Sequence, residues 1–598
     1  MARVRGAQAA AVALVAMAMV VCAAAADEDP AEHQYKLYDK VPVVANKVGP
    51  FANPHETYPY YSLPFCAPDN LASEKHELGE LLSGDRKVNS KIDLRFRVRD
   101  TWREVCDIVL ERENVAKFQA AVEQDYYFEI FIDDLPVWGF VGEHDGDDLL
   151  GTAPVNKYLY THLHFTIMYN GDHVIAANVT SRPEDRVDIS SGARTRVRFS
   201  YSSEWLQTTL PFEDRLERNS KARFLPESLE IHWLSIINSL VLVVLLTAFL
   251  VIILVKVVRN DFTRYMTADE EDLGSSEGES GWKLIHGDVF RFPASPNVFC
   301  ALVGTGVQLF VMTVSLITMA ILGLFAPTRR GAIVTACIVL YALSAGVGGF
   351  FSARLFRQLG GKSWVGNIIL CSFTFPLPML LTFAIVNTTA ITYESTSALP
   401  AGTIIVVLLL FLLVTFPLTV LGGIAGRNTA GDFEAPCRTA KAARVVEPVP
   451  FYRGAAASML LSGFLPFSAI SIELHYIFSS VWGHKAYTLF GILFLAFALL
   501  TVVTSFIVVA LTYNQLAAED WRWWWRSFHS GGSVGLFIYA YCFFYYYSYS
   551  DMSGVLQTTF YFGYMAVVAF GFWLMMGAVG FYSSLFFVRY IYARVKTD

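Results

Sequence analysis

Charge is what this sequence has least of. Asp, Glu, Lys and Arg make up 17% of its 598 residues, against the roughly one quarter typical of soluble chains. That scarcity argues against a water-soluble enzyme and puts a membrane protein first before any motif is read. Its eight cysteines show no zinc-ligand spacing. No nucleotide-binding glycine loop and no nucleophile–base set stands out, so no catalytic residue, metal or cofactor is expected. The formal charge of −7 is spread over different compartments and gives no reason to expect a nucleic-acid partner.

What the chain has instead is apolar length. Hydrophobic residues reach 54%, and they are concentrated in blocks. The first block follows Arg3 and Arg5 and ends at Ala24-Ala25-Ala26. A basic start, a short apolar run and small residues before Asp27 predict a secretory signal peptide over 1–26. Cleavage there would leave the mature N-terminus in the lumen and remove Cys22.

Residues 27–230 read as a lumenal β-rich, sandwich-like domain. Period-two alternation runs through KIDLRFRV (91–98), YYFEIFI (126–132) and THLHFTI (161–167), the pattern of half-buried strands. Asn170-Gly171 supplies a tight hairpin turn. Cys66 and Cys106 are the only cysteines of this region, and in an oxidising compartment they are expected to pair. Asn178-Val179-Thr180 is an N-glycosylation acceptor. His162 and His164 share one face of a strand; without further ligands nearby they are expected on a solvent face rather than around a metal.

Residues 231–598 carry nine apolar runs, at roughly 233–255, 298–325, 332–352, 365–386, 400–421, 455–478, 487–511, 530–547 and 557–582. Each is near the ~20 residues a bilayer requires. The expected fold is therefore a polytopic α-helical membrane protein of nine transmembrane helices. With a lumenal N-domain, an odd count places the C-terminus in the cytosol. Basic residues agree with that orientation. Arg354, Arg357, Lys362, Arg427, Arg438, Lys441, Arg444, Arg522, Arg526, Arg589, Arg594 and Lys596 all fall in segments assigned to the cytosol. Only Arg329, Arg330 and Lys485 fall in short lumenal loops. The acidic, Ser/Gly-rich stretch at 268–281 reads as a solvated linker.

Several long phrases resemble the nonaspanins, the transmembrane 9 superfamily also called endomembrane protein 70. They are NKVGPFANPHETYPYYSLPFC (46–66), GWKLIHGDVFRFP (281–293), SWVGNIILCSFTFPLPMLL (363–381), LPFSAISIELHYIFSSVWGHKAYTLFG (465–491) and EDWRWWWRSF (519–528). The resemblance implies residence in Golgi and endosomal membranes, with a role in sorting and surface delivery of other membrane proteins. It implies clients with glycine-rich transmembrane segments, contact with membrane lipids, and no enzymatic activity. It also implies that Lys596 and Asp598 form a tail read by the COPI coat for Golgi retention. Two departures stand out: the stretch at 435–453, and His475 where the family suggests an aromatic residue.

Within the spans, Glu473 and His475 form a candidate polar site, because an ionisable group in a bilayer is costly and marks function by default. Offset by two on a helix, they face different directions. Pro376, Pro378, Pro417 and Pro466 interrupt helices, which makes a transporter or channel using Glu473 the rival reading. Ser344, Ala345, Gly346, Gly348 and Gly349 offer a small-residue stripe that serves either internal packing or a client helix. The tyrosines of 539–549 read as an aromatic belt. EDWRWWWRSF, read as a helix, sets Trp521, Trp524, Trp525 and Phe528 on one stripe. Glu519, Arg522 and Arg526 fall opposite, with Glu519 and Arg522 spaced to pair. The expected role is an interfacial anchor, with a cytosolic docking surface as the alternative; Trp523 fits neither face.

Overall fold

The computed structural model describes residues 33–593 apart from 74–77, 146–155, 213–214, 216–236, most of 238–280, 326–330, 447, 449, 452–453 and 484–489. The signal peptide, the acidic linker before Gly281, and the tail residues Lys596 and Asp598 lie outside the described residues.

The N-terminal unit is β-rich. Its principal strands are β1 (Val43–Pro50), β2 (Asp100–Leu110), β3 (Tyr126–Ile132), β4 (Leu135–Phe140), β5 (His162–Asn170), β6 (His173–Ser181) and β7 (Thr195–Gln207). One sheet runs β6-β5-β7-β2, with β5 and β7 parallel. The other runs from Tyr58–Pro59 through β1 and β3 to β4. Alternate residues of both sheets, among them Val48, Phe128, Phe165 and Val197, bury into one core. Gly171 at φ +63° makes the β5–β6 turn, a conformation that costs glycine little. KIDLRFRV differs from expectation. Ile92, Leu94 and Phe96 are buried in alternation, yet only Leu94–Arg95 joins a ladder. Burial sets the period there, and the left-handed turn at Arg97, φ +61°, ends the pairing.

Cys66 and Cys106 form a disulfide with Cα atoms 6.1 Å apart, closing a separation of 40 residues. A loop of that length is worth about 4 kcal/mol in the chain-entropy account. Cys106→Ser should therefore make the β domain cleavable at clearly lower denaturant in pulse proteolysis of the full chain. An unchanged midpoint would contradict this. Asn178 is exposed on β6.

His162 corrects the sequence reading. It is buried, with Nδ1 and Nε2 each 2.8 Å from a serine hydroxyl, Ser200 and Ser202 respectively. The same Ser202 oxygen lies 2.8 Å from His164 Nδ1. The hydroxyls of β7 satisfy both ring nitrogens, which lets an imidazole leave the solvent face. Burial holds His162 below its ordinary pKa, and the nearby Asp185 only partly opposes this. Its native form therefore binds protons less readily than the unfolded chain. The stabilisation is fully present above about pH 6.5 and is lost as pH falls from there through the lowered native value. Amide exchange in β5 and β7 should accelerate, after correction for intrinsic rates, between about pH 7 and pH 5.5. A flat corrected profile would contradict it.

Seven described helices are long and apolar enough to cross a membrane. With two short helices of the β domain as α1 (Leu78–Leu82) and α2 (Arg112–Glu123), they are α3 (Pro296–Ile321), α4 (Ala332–Gln358), α5 (Trp364–Thr392), α6 (Ala401–Thr429), α7 (Ala455–Val481), α8 (Phe490–Ala517) and α10 (Val555–Tyr592). Between the last two lies α9 (Trp523–Tyr549), 27 residues long. Its Gly, Ser, Tyr and Trp content leaves it outside the seven. The first expected span, 233–255, lies mostly outside the described residues. The prolines act unequally. Pro376 splits α5 at Phe375, α6 passes Pro417 through a π-turn at Phe411–Thr415, and α7 stays helical through Pro466.

The β domain sits on one end of the bundle, through two segments. Thr57 bonds Thr396, and Asn53 exchanges hydrogen bonds with Ser553. His55 Nε2 lies 3.2 Å from the Val481 carbonyl, and its ring meets Trp482 edge-on at 4.7 Å. The Arg86 guanidinium donates to the Ala398 carbonyl at 2.6 Å. Its neighbour Asp85 is held by buried Lys47 and Asn46.

Candidate functional site

Three features of the bundle bear on function: a glycine seam, a polar position inside α7, and the tryptophan segment.

The seam is occupied. A Cβ on Gly422 of α6 would fall on the Gly346 carbonyl of α4, and one on Gly349 would fall on the Thr419 carbonyl. Gly348 faces Gln308 of α3, whose amide donates to the Tyr341 carbonyl at 3.1 Å. The small residues of α4 thus bring α3, α4 and α6 into backbone contact. They leave no groove for an outside helix. The glycines of α9 do the same: Gly531 and Gly535 abut the Met576 and Ala569 carbonyls of α10.

Glu473 and His475 are not brought together. Glu473 is 7% exposed within α7, whereas Leu460, Leu461 and Phe464 on the same helix are exposed. His475 turns toward α9, with Nδ1 3.2 Å from the Tyr541 hydroxyl and its ring 4.9 Å from that of Tyr549. The tyrosine run is only partly a belt. Tyr545 is buried against Phe478, and Tyr546 bonds Thr558 at 2.7 Å, whereas Tyr547 and Tyr549 are exposed. The seam between α7, α9 and α10 is therefore aromatic with hydroxyls inside it. Tyr541 was missed in the sequence, where it was one tyrosine among several; only helix packing selects it.

At the other end, the far end of the bundle from the β domain, EDWRWWWRSF proves to be interior. The helix begins at Trp523, so Trp521 and Arg522 precede it and the proposed stripe does not form. Trp523, Trp524 and Phe528 are 0%, 2% and 0% exposed, so Trp524 and Phe528 lie inside the protein and not at the interface where the anchor was expected. Trp521, Trp525 and Arg526 are partly buried, and Arg522 alone of the set is open. Three indole N–H groups donate to backbone carbonyls: Trp521 to Arg444 at 3.1 Å, Trp523 to Val289 at 2.8 Å, Trp525 to Ala294 at 2.8 Å. Trp523 stacks on Trp524 at 4.7 Å and on Phe581 at 6.1 Å.

The charges pair differently from expectation too. Glu519 binds Arg444 at 2.5 Å and accepts from the Gly281 amide at 3.2 Å. Arg522 instead meets Asp520 at 3.0 Å, and Arg526 donates to the Ser458 hydroxyl at 2.8 Å. Glu519 takes a left-handed φ of +61°, so it leaves the face that a continuous helix would have given it. The segment clamps the 281–294 loop and the 433–444 loop onto α3, α9 and α10. The divergent stretch at 435–453 is part of this clamp, since the Ala440 amide donates to the Gly287 carbonyl at 2.7 Å. Sequence reasoning missed Val289 and Arg444 because their contacts lie far along the chain, and Asp520 because its partner Arg522 was assigned to Glu519.

Among the described residues, no group of three or more His, Cys, Asp and Glu could hold a metal.

The family model described as Endomembrane protein 70 matches residues 57–555. Transmembrane 9 superfamily member 2 of Arabidopsis thaliana is 51% identical over 570 residues, covering 95% of this chain and 96% of its own. Transmembrane 9 superfamily member 3 of the same plant is 50% identical over 570 residues, covering 95% and 96%. Transmembrane 9 superfamily member 1 of Mus musculus is 46% identical over 573 residues, covering 94% of each chain. No solved structure matches.

Proposed function

Because the chain belongs to the endomembrane protein 70 family, we propose that it is a multispan sorting protein of Golgi and endosomal membranes. In this reading it holds transmembrane segments of client proteins and delivers those clients toward the surface. The 233–255 segment and α9 bring the spans to nine, the β domain is lumenal, and the far end is cytosolic. The basic residues of the far-end loops support that orientation.

The observation that carries the reading is the Glu473 side chain, buried at 7% exposure beside Ile470 and Leu474 in a helix whose outward residues Leu460, Leu461 and Phe464 are open. A carboxylate in hydrocarbon costs on the order of 3 kcal/mol by insertion scales. Such a cost is sustained where the group serves a contact. With the glycine seam filled internally, the open faces of α7 and α9 beside Glu473 and Tyr541 become the client surface. Glu473→Gln should reduce the surface abundance of a defined set of membrane proteins, read by quantitative surface proteomics against wild type, with ion and solute flux unchanged in reconstituted vesicles. An unchanged surface proteome would sink the proposal, and a Glu473-dependent flux would favour the transporter reading.

Lys596 and Asp598 complete the proposal as the coat-binding tail. A lysine two residues before an aspartate gives a coat subunit a short extended charge pattern. Their joint replacement by alanine should move the protein from the Golgi to later compartments. Unchanged steady-state localisation by immunofluorescence would remove the tail from the mechanism.

A further inference from the structure

An open crevice of about 510 Å³ lies along the far half of α10, walled on one side by α8. Tyr582, Phe586 and Tyr590 form its floor, and Phe506 and Val509 its wall. Phe586 is 74% exposed. The two serine hydroxyls in the crevice are already used within their own helices: Ser505 donates to Thr501, and Ser583 to Val579. The lining therefore offers mainly apolar surface.

At the edge facing α4 the chemistry changes. The Tyr582 ring packs on Phe351 at 6.1 Å. Arg354 follows Phe351 by one turn and Arg589 follows Tyr582 by two, so both guanidiniums come from the helix faces that meet there. Among the described residues neither forms an ion pair. Arg589 lies over Phe433 at 4.6 Å and Arg354 over Phe350 at 5.9 Å. Arg589 Nε is buried without a hydrogen-bond partner. The two charges act on each other and both act on the Tyr582 hydroxyl, and Glu434 acts on Arg589 more strongly than Arg354 does. Two guanidiniums at one edge repel, and a phosphate between them would replace that repulsion with charge-assisted hydrogen bonds.

We propose that the crevice binds an anionic phospholipid of the leaflet opposite the β domain, with an acyl chain along α10 and the phosphate between Arg354 and Arg589. The apolar floor opens to hydrocarbon and the arginines stand at its polar edge, the order of groups in a lipid molecule. This inference rests on the membrane-spanning bundle and not on the sorting role.

The test uses the full-length protein, purified in mild detergent with graded delipidation, and native mass spectrometry of what remains bound. Wild type should retain phosphatidylserine or phosphatidylinositol over phosphatidylcholine. R354Q/R589Q should lower the retained anionic fraction roughly tenfold or more, whereas R354K/R589K should keep most of it. Ser583→Trp should displace the lipid with both arginines intact. Equal retention in R354Q/R589Q would overturn the proposal. Should that variant fail to fold, a photo-crosslinking residue at Phe586 in the otherwise native chain decides. Labelled phospholipid supports the site; capture of residues 233–255, a second copy or another protein refutes it.

Discussion

Replacing Trp523 with alanine is expected to cost about 3–5 kcal/mol of stability, the range for deleting a fully buried tryptophan. The residue is 0% exposed, bonds the Val289 carbonyl, and stacks on two aromatic rings. Its loss would leave a cavity, an orphaned carbonyl and an unsupported 281–294 loop together. Trp521→Ala should cost far less, because that ring is only partly buried and its bond to Arg444 is exposed. Thermal unfolding of the detergent-purified protein with a thiol-reactive dye reads both, since Cys300, Cys371 and Cys542 are buried and free. A headgroup anchor would give the reverse order, with exposed rings mattering most for membrane partition. Equal melting temperatures for wild type and Trp523→Ala would refute the interior clamp.

The second large effect is expected at the α4–α6 seam. Gly422→Val should abolish folding into a monodisperse species, because its Cβ would coincide with the Gly346 carbonyl. Neither partner is a side chain that can swing away. The cost falls at or beyond the upper end of the roughly 1–3 kcal/mol typical of overpacking. Gly346→Ala on the facing helix is the internal control: its Cβ would meet only the Leu418 carbonyl at 3.4 Å, an ordinary contact. Size-exclusion chromatography of the two variants separates the accounts. A groove kept open for an outside helix would tolerate both, and intact Gly422→Val protein would revive that reading.

Legibility in the sequence followed the range of the forces. The strands at 126–132 and 161–167 and the turn at Gly171 are set locally and appear where the pattern puts them, although 126–132 is buried on both faces and not half-buried. The seven apolar spans are legible for the same reason, since length and composition suffice. The far-end clamp was not. Helical periodicity was applied to 519–528 as though the helix began at Glu519, but the left-handed turn there delays it to Trp523. Trp523 fitted neither face of that imagined helix, and it turns out to be the innermost of the four tryptophans. The pairing of Glu519 with Arg444 rather than Arg522 is likewise fixed by tertiary approach across 75 residues. His162 failed for a related reason: alternation assigned it to the outer face, and the serines of β7 that bury it come from a strand 38 residues on.

The seat of the β domain on the bundle has a consequence in time. Asn53 and its partner Ser553 are 500 residues apart. At the 5–20 residues per second of synthesis, roughly 25–100 s separate their emergence. The β domain is expected to fold early in that interval, yet its underside is seated in steps: Thr57 can meet Thr396 first, His55 then Val481, and Asn53 meets Ser553 only once α9 has been made. During the wait those polar and aromatic groups are a surface that folding factors can hold. Closing it reports that the loop between α9 and α10 has arrived.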